Sequence, residues 1–317
     1  MRTKSGFVAV MGLLAGVSST AGAQDALPTF KSSVDLVPIS AVVRDTRNRL
    51  VTNLTAADFE VLDKGRPCRI IDFQRNQTSP ITLGLLVDVS GSMRMGPKLT
   101  FARQVVERIS SQLADGRDEA ALFTFDESLH EQQPFTVHPS AMGSLVESVE
   151  PFGTTSLYDA IAGTSRLLAA RQGQRRAVVV FTDGLDTSSA LTPQQVSALA
   201  SSIDVPVYVV ITVSPIDQAP FVSRVPGAAP RGDLRDLAEW TGGDLLFATA
   251  GETSEVTAHR IVTELRQQYL LAIESTEQPE WRPLDVRVRG RHVTVRTRSG
   301  YFGRDGAPSR PAALPDK

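Results

Sequence analysis

One acidic side chain and two hydroxyls stand at alternate positions in Asp88-Val89-Ser90-Gly91-Ser92, directly after the apolar run Ile81 to Val87. Alternate residues of one short loop can turn a carboxylate and two hydroxyls toward a common point, and Gly91 relieves the tight backbone. By itself the pattern is equally a strand exit followed by a helix N-cap. Two further fragments change its weight. Gly153-Thr154-Thr155-Ser156-Leu157-Tyr158-Asp159 stands at the start of an amphipathic segment, and Phe181-Thr182-Asp183-Gly184 closes the most apolar strand of the chain, Ala177 to Val180. Taken singly, the first reads as a capping box and the second as a turn. Together they fall at one edge of one sheet, outside the carboxyl ends of strands, where open parallel sheets collect ligands. Hydroxyls grouped with carboxylates suit a hard cation: magnesium takes six oxygens in an octahedron at about 2.0 to 2.1 Å and gives up its waters reluctantly.

The elements that must position these residues alternate between strand and helix from Ile81 to about Arg266. Continuous apolar strands are predicted at Ile81 to Val87, Ala120 to Phe125, Ala177 to Phe181, Val205 to Val213 and Asp244 to Ala248. Lys98 to Leu113 carries Leu99, Ala102, Val106, Ile109 and Leu113 on one helical stripe, and Leu157 to Leu168 and Gln194 to Ile203 behave likewise. Asp115-Gly116 and Gly242-Gly243 are helix stops. This alternation predicts an α/β domain, a doubly wound and mostly parallel sheet covered on both faces.

Both flanks have β texture instead. Val34 to Val43 is an extended run, Phe59 to Lys64 is a strand entering a turn at Gly65, and polar Arg75 to Pro80 is a linker. After the α/β region, Gln268 to Glu274, Leu284 to Val288 and His292 to Arg298 read as strands. Neither flank has enough strands to stand by itself, so both ends are expected to build one small β-sandwich into which the α/β domain is inserted. The expected boundaries are a leader at 1–23, an N-terminal β region at 24–78, the α/β domain at 79–267, C-terminal strands at 268–303 and a disordered Pro- and Ala-rich tail at 304–317.

The leader assignment rests on Arg2 and Lys4 before the apolar stretch Phe7 to Val17, followed by Ala21-Gly22-Ala23. This is the layout of a secretory signal peptide cleaved before Gln24, and the stretch is shorter than the roughly 20 residues of a spanning helix. The chain is therefore expected to be exported, periplasmic or secreted, with no transmembrane segment after cleavage. Loss of residues 1–23 takes the formal charge from −2 to about −4. A mildly acidic chain is a poor partner for nucleic acid, whose phosphates draw on clustered Lys and Arg. Cys68 is the single cysteine, which excludes an intramolecular disulfide, and its place in an alternating segment reads as a small semi-buried side chain.

The three fragments carry a resemblance to the von Willebrand factor A (VWA) superfamily and its metal-ion-dependent adhesion site (MIDAS). The resemblance assigns Asp88, Ser90, Ser92, Thr155 and Asp183 as the metal site, with Thr154 as the alternative to Thr155. Within the superfamily the chain is most similar to bacterial VWFA-related proteins, in Val42-Val43-Arg44-Asp45, Asp58-Phe59-Glu60-Val61, Leu265-Arg266-Gln267-Gln268-Tyr269 and Arg298-Ser299-Gly300-Tyr301. It implies a Rossmann-like VWA fold. It also implies that Ser90, Ser92 and Thr155 touch Mg2+ with neutral hydroxyls, Mn2+ or Ca2+ being possible substitutes. Asp88 and Asp183 would act mainly through waters and by accepting hydroxyl protons. The open position would take an Asp or Glu carboxylate from another protein, which makes the chain a non-enzymatic binding or adhesion module.

Other chemistries are weighed against this. A phosphatase-like metal-dependent hydrolase that uses the strand-end aspartate needs a second carboxylate near position 90, where Ser90 stands. There is no Gly-x-Ser-x-Gly elbow, and His130, His138, His259 and His292 make no zinc-binding pair. A cation-free envelope scaffold, with the serines only capping a helix, is the third reading. Arg231-Gly232-Asp233 opens the amphipathic segment Leu234 to Trp240, so Asp233 is explained by its place in a helix's first turn. The proline-rich run Ser214 to Pro230, with Phe221 and Val222, follows a strand and is expected to border the binding surface. A helix over Ser254 to Gln267 runs into the strand Gln268 to Glu274, a route by which movement at the metal edge could reach the β-sandwich.

Overall fold

The computed structural model describes residues 36–75, 77–142, 150–171, 173, 175–212, 231–248, 253–274 and 280–303. The expected leader at 1–23, the expected tail at 304–317, and the Ser214 to Pro230 run with Phe221 and Val222 lie outside them. Among the described residues no helix is long and apolar enough to cross a membrane.

Four strands come first: β1 (Leu36–Asp45), β2 (Phe59–Asp63), β3 (Arg66–Cys68) and β4 (Ile70–Gln74). The α/β region follows as β5 (Ile81–Asp88), α1 (Lys98–Gln112), β6 (Glu119–Phe125), β7 (Leu129–Thr136), α2 (Leu157–Ala169), β8 (Arg175–Thr182), α3 (Pro193–Ser202), β9 (Val207–Thr212), α4 (Arg231–Thr241), β10 (Leu245–Ala248) and α5 (Ser254–Arg266). Last come β11 (Tyr269–Glu274), β12 (Trp281–Val288), β13 (Val293–Arg296) and β14 (Gly300–Phe302).

The central sheet has the order β10-β9-β8-β5-β6-β7. Every pairing in it is parallel except β6 with β7. β5 is buried at all its residues, because helices cover both faces. Leu83, Leu85 and Val87 pack with Val105, Val106 and Ile109 of α1 and Ile261 and Leu265 of α5. Leu86 packs on the other face with Leu157 and Ile161 of α2 and with α3 and α4. This double burial is why the strand reads as a continuous apolar run.

β7 has no strand signal in the sequence. Leu129-His130-Glu131-Gln132-Gln133-Pro134-Phe135-Thr136 is mostly polar and carries a proline, which only a sheet edge tolerates. It takes that edge, with register breaks along β6. β9 begins at Val207, two residues later than its hydropathy suggests.

Strands from the two flanks pair with each other in two four-stranded sheets, β13-β1-β11-β4 and β14-β12-β2-β3. Val37, Ile39, Ala41, Tyr269 and Leu271 of the first sheet enclose a core with Phe59, Val61, Leu284 and Val286 of the second. Cys68 is half-buried on the edge strand β3. The accessory domain is thus built from both chain ends around the α/β domain.

Buried arginines lock the two parts together. Arg298 donates to the Ser201 carbonyl that ends α3 and to the Pro38 carbonyl of β1. Arg175 donates to the carbonyls of Leu265, Arg266 and Gln268, where α5 turns into β11. Each caps a helix C-terminus, where carbonyls lack partners and positive charge is favoured.

The glycine pair after α4 has two tasks. Gly242 sits at φ 83°, the left-handed stop of the helix. Gly243 clears the sheet, since a Cβ there would lie 2.0 Å from the Val207 carbonyl oxygen. Gly243→Ala is therefore expected to cost about 1 to 3 kcal/mol in denaturant unfolding; a loss within experimental error contradicts this packing.

Candidate metal centre

β5 and β8 are parallel neighbours, with Val87 beside Phe181. From β5 the chain crosses to β6 on one side, while β8 flanks it on the other, which makes their carboxyl ends the switch point of the sheet. Asp88 ends β5 and Asp183 follows β8, both almost wholly buried.

The Asp88 to Ser92 loop is folded back on itself. The Ser90 amide donates to Asp88 Oδ1 at 2.9 Å, and the Ser90 and Ser92 hydroxyl oxygens are 3.2 Å apart. Ser90 stands at the N-cap of a short 3-10 turn over Gly91–Arg94, yet its side chain makes no cap hydrogen bond, and the N-cap of α1 is Pro97. The alternative reading, in which the serines only cap a helix, finds no cap hydrogen bond from Ser90 and no serine at the N-cap of α1. Neighbouring octahedral ligands at about 2.1 Å from an ion lie about 3 Å apart, so the hydroxyl pair fits such a centre.

The loop carrying Thr154 and Thr155 is tied to this one. Gly91 N donates to the Gly153 carbonyl at 3.1 Å and Phe152 N donates to the Val89 carbonyl at 2.8 Å. Thr155 is buried, and its carbonyl accepts from Thr187 N and Ser188 N. Thr154 is exposed, its hydroxyl accepting from Ser188 Oγ at 3.2 Å.

The start of α2 does not use the capping box that its sequence suggests. Ser156 makes no side-chain cap bond. Asp186 Oδ1 accepts from Leu157 N at 2.8 Å, and Ser189 Oγ accepts from Tyr158 N and Asp159 N. Asp159 in turn accepts from Ala190 N and Leu191 N. The loop after Asp183 thus caps α2 from outside and holds the Thr155 loop against the sheet edge.

Three residues at this edge were not singled out from sequence. Thr182 donates to Asp88 Oδ2 at 2.6 Å and accepts from Gly184 N. Its signal is a polar residue ending an apolar strand. Lys98 Nζ lies 3.0 Å from Asp183 Oδ2 and 3.5 Å from the Ser92 carbonyl, and Lys98 is 2% exposed. Its signal is a cation in the first turn of a helix, which the helix dipole disfavours without a tertiary partner. Asp186 stands in a polar loop that could have been read as a cap for α2.

Burial, with Asp183 close by, pushes the Asp88 carboxyl up to about 7 against the lowering hydrogen bonds from Ser90 and Thr182. A carboxyl whose folded pKa exceeds its unfolded value takes its proton more readily in the fold. Its contribution to stability is full below the ordinary 3.8 and is lost as pH rises through about 7. In chelator, Asp88 is expected to lower stability between these limits by up to about 1.4 kcal/mol per pH unit. The check is the difference between the pH–stability curves of the wild type and Asp88→Asn; a flat difference contradicts the reading.

Among the described residues no group of three or more His, Cys, Asp or Glu side chains is gathered for a metal. A cation at this edge would draw on two carboxylates together with hydroxyls, an all-oxygen set that suits a hard ion. The four histidines are exposed; His130 contacts Asp126 and His259 contacts Thr263.

Residues 83–185 match the family model described as von Willebrand factor type A domain, a stretch that spans all five sequence-derived site residues. No curated protein matches the chain. Solved structures are similar at low identity. The conserved hypothetical protein BatB from Bacteroides thetaiotaomicron is 18% identical with a TM-score of 0.47, over 58% of this chain and 97% of that one. A von Willebrand factor type A protein from Catenulispora acidiphila is 12% identical with a TM-score of 0.47, over 87% and 76%. Proximal thread matrix protein 1 from the mussel byssus, with a zinc-occupied MIDAS motif, is 14% identical with a TM-score of 0.49, over 64% and 49%.

Proposed function

We propose that this chain, whose central domain is a von Willebrand factor type A domain, is an exported module that binds a partner protein through a divalent cation. Ser90, Ser92 and Thr155 would hold the ion with neutral hydroxyls. Asp88 and Asp183 would hold its waters and orient the hydroxyls from behind. Mg2+ is the first choice for an all-oxygen set, with Mn2+ or Ca2+ able to substitute. When bound, the ion supplies a Lewis-acidic open position for an Asp or Glu carboxylate of the partner.

The observation that carries this reading is the pair of hydroxyls 3.2 Å apart, uncommitted to any helix cap, beside two buried carboxylates. The chain's own residues do the positioning. Thr182 and the Ser90 amide fix both oxygens of Asp88, and the loop from Asp186 to Ser189 fixes the Thr155 backbone. Burial of Thr155 against exposure of Thr154 favours Thr155 as the third hydroxyl. Apolar side chains stand exposed on the same loops, Met95 at 47% and Phe152 at 78%. Such a rim beside a polar centre suits a protein partner. Export is supported by the leader pattern over residues 1–23.

The test is retention of a partner from the source cell's envelope fraction on the immobilised chain in magnesium. Release by chelator and no retention on Ser92→Ala are expected. Retention indifferent to both sinks the proposal.

A further inference from the structure

Lys98 is the first residue of α1, set where the positive end of the helix disfavours a cation. Its side chain is nevertheless almost fully buried, and its ammonium is aimed at Asp183 Oδ2, 3.0 Å away, with the Ser92 carbonyl at 3.5 Å. Both neighbours belong to the candidate metal centre. The ammonium therefore shares a carboxylate with any cation held there.

We propose that Lys98 is a built-in counter-cation that sets the metal affinity of the site, competing with the divalent ion for Asp183. The inference rests on the cation-binding reading given above and deepens it. Asp88 and Asp183 bring two negative charges when both are ionised, and Lys98 brings one positive. A divalent ion added to that set sits beside a fixed positive charge that it would not meet without Lys98. In a buried setting, where water screens little, that charge opposes uptake of the metal alone and favours an anionic side chain at the open position. Loading and partner capture become linked, each raising affinity for the other. Lys98 acts by its charge on the metal and not by touching the partner.

The measurement is Mn2+ affinity, by electron paramagnetic resonance of free Mn2+, for the full chain and for Lys98→Met and Lys98→Gln. Met keeps the length of the stem without the charge, and Gln serves if Met fails to fold. Both neutral variants are expected to bind Mn2+ about tenfold or more tightly than wild type, given the strength of charge interactions at buried sites. Equal or weaker affinity in the folded variants, with wild type still binding, overturns the role of Lys98 and leaves the metal site standing. No Mn2+ uptake by any of the three proteins overturns the metal site and, with it, this inference.

Discussion

Replacing Glu264 with alanine is expected to destabilise the protein by about 3 to 5 kcal/mol, the cost of breaking a buried ion pair by removing one partner. Glu264 lies on α5 at 1% exposure, accepts from Arg44 of β1 at 2.5 Å and from the Tyr208 hydroxyl of β9 at 2.8 Å, and forms an ion pair with Arg296 of β13. One carboxylate thereby joins both flanks of the chain to the central sheet. Its loss leaves two largely buried guanidiniums and a buried phenol facing a void. Arg296 keeps Asp244 and Arg44 keeps the Asn48 carbonyl, which places the effect at the lower end of the range. Denaturant unfolding measures it, and a loss below about 1 kcal/mol would show that the joint carries little of the stability.

At pH 8 and in chelator, Asp88→Asn is expected to stabilise the fold by about 1 to 3 kcal/mol while abolishing the response to magnesium. The buried carboxylate is held near Asp183, and its carboxyl is pushed up to about 7, so its ionised form opposes folding at this pH. The amide retains an acceptor for the Ser90 amide but cannot supply the charge a cation needs. Wild type should behave in the opposite way: magnesium at about 100 times its Kd adds about 2.7 kcal/mol. Melting curves of both proteins with magnesium and with chelator decide the matter. A variant less stable in chelator, or one still raised by magnesium, contradicts the account. A functional group that weakens the unloaded fold is a common feature of binding sites.

Much of this architecture was legible because burial on both faces leaves a strong trace. β5 from Leu83 to Val87 and β8 from Ala177 to Phe181 carry no polar side chain, and Asp88 and Asp183 stand out as the acidic residues at their ends. α1 and α2 show their buried stripes. β7 was illegible, since an edge strand with one solvated side and Pro134 has no reason to look apolar. The tertiary partners of the site were illegible for a different reason. Lys98 meets Asp183 across 85 positions of sequence, and Thr182 meets Asp88 across 94, distances over which no local pattern operates.

The similarity motifs outside the proposed metal site have a structural explanation. Arg44 pairs with Glu264, Arg266 pairs with Asp118, and Arg298 bridges α3 and β1. Tyr301 donates to Asp63, which also holds Arg282. Gly300 has no room for a side chain, because a Cβ there would lie 2.6 Å from both the Arg282 carbonyl oxygen and the Trp281 ring. Arg44 and Arg298 join the accessory domain to the α/β domain, Arg266 fastens α5 within the α/β domain, and the Tyr301, Asp63, Arg282 and Gly300 contacts hold the second accessory sheet together. The joint runs through α5, whose end passes through Gln267 and Gln268 directly into β11.

Calorimetric titration of magnesium into the purified chain tests the central claim most directly, with the Ser90→Ala, Ser92→Ala double variant alongside. Saturable uptake of a single ion by wild type and none by the folded double variant is the predicted result. No uptake of magnesium, manganese or calcium by wild type, or equal uptake by the variant, would contradict a cation held between these loops.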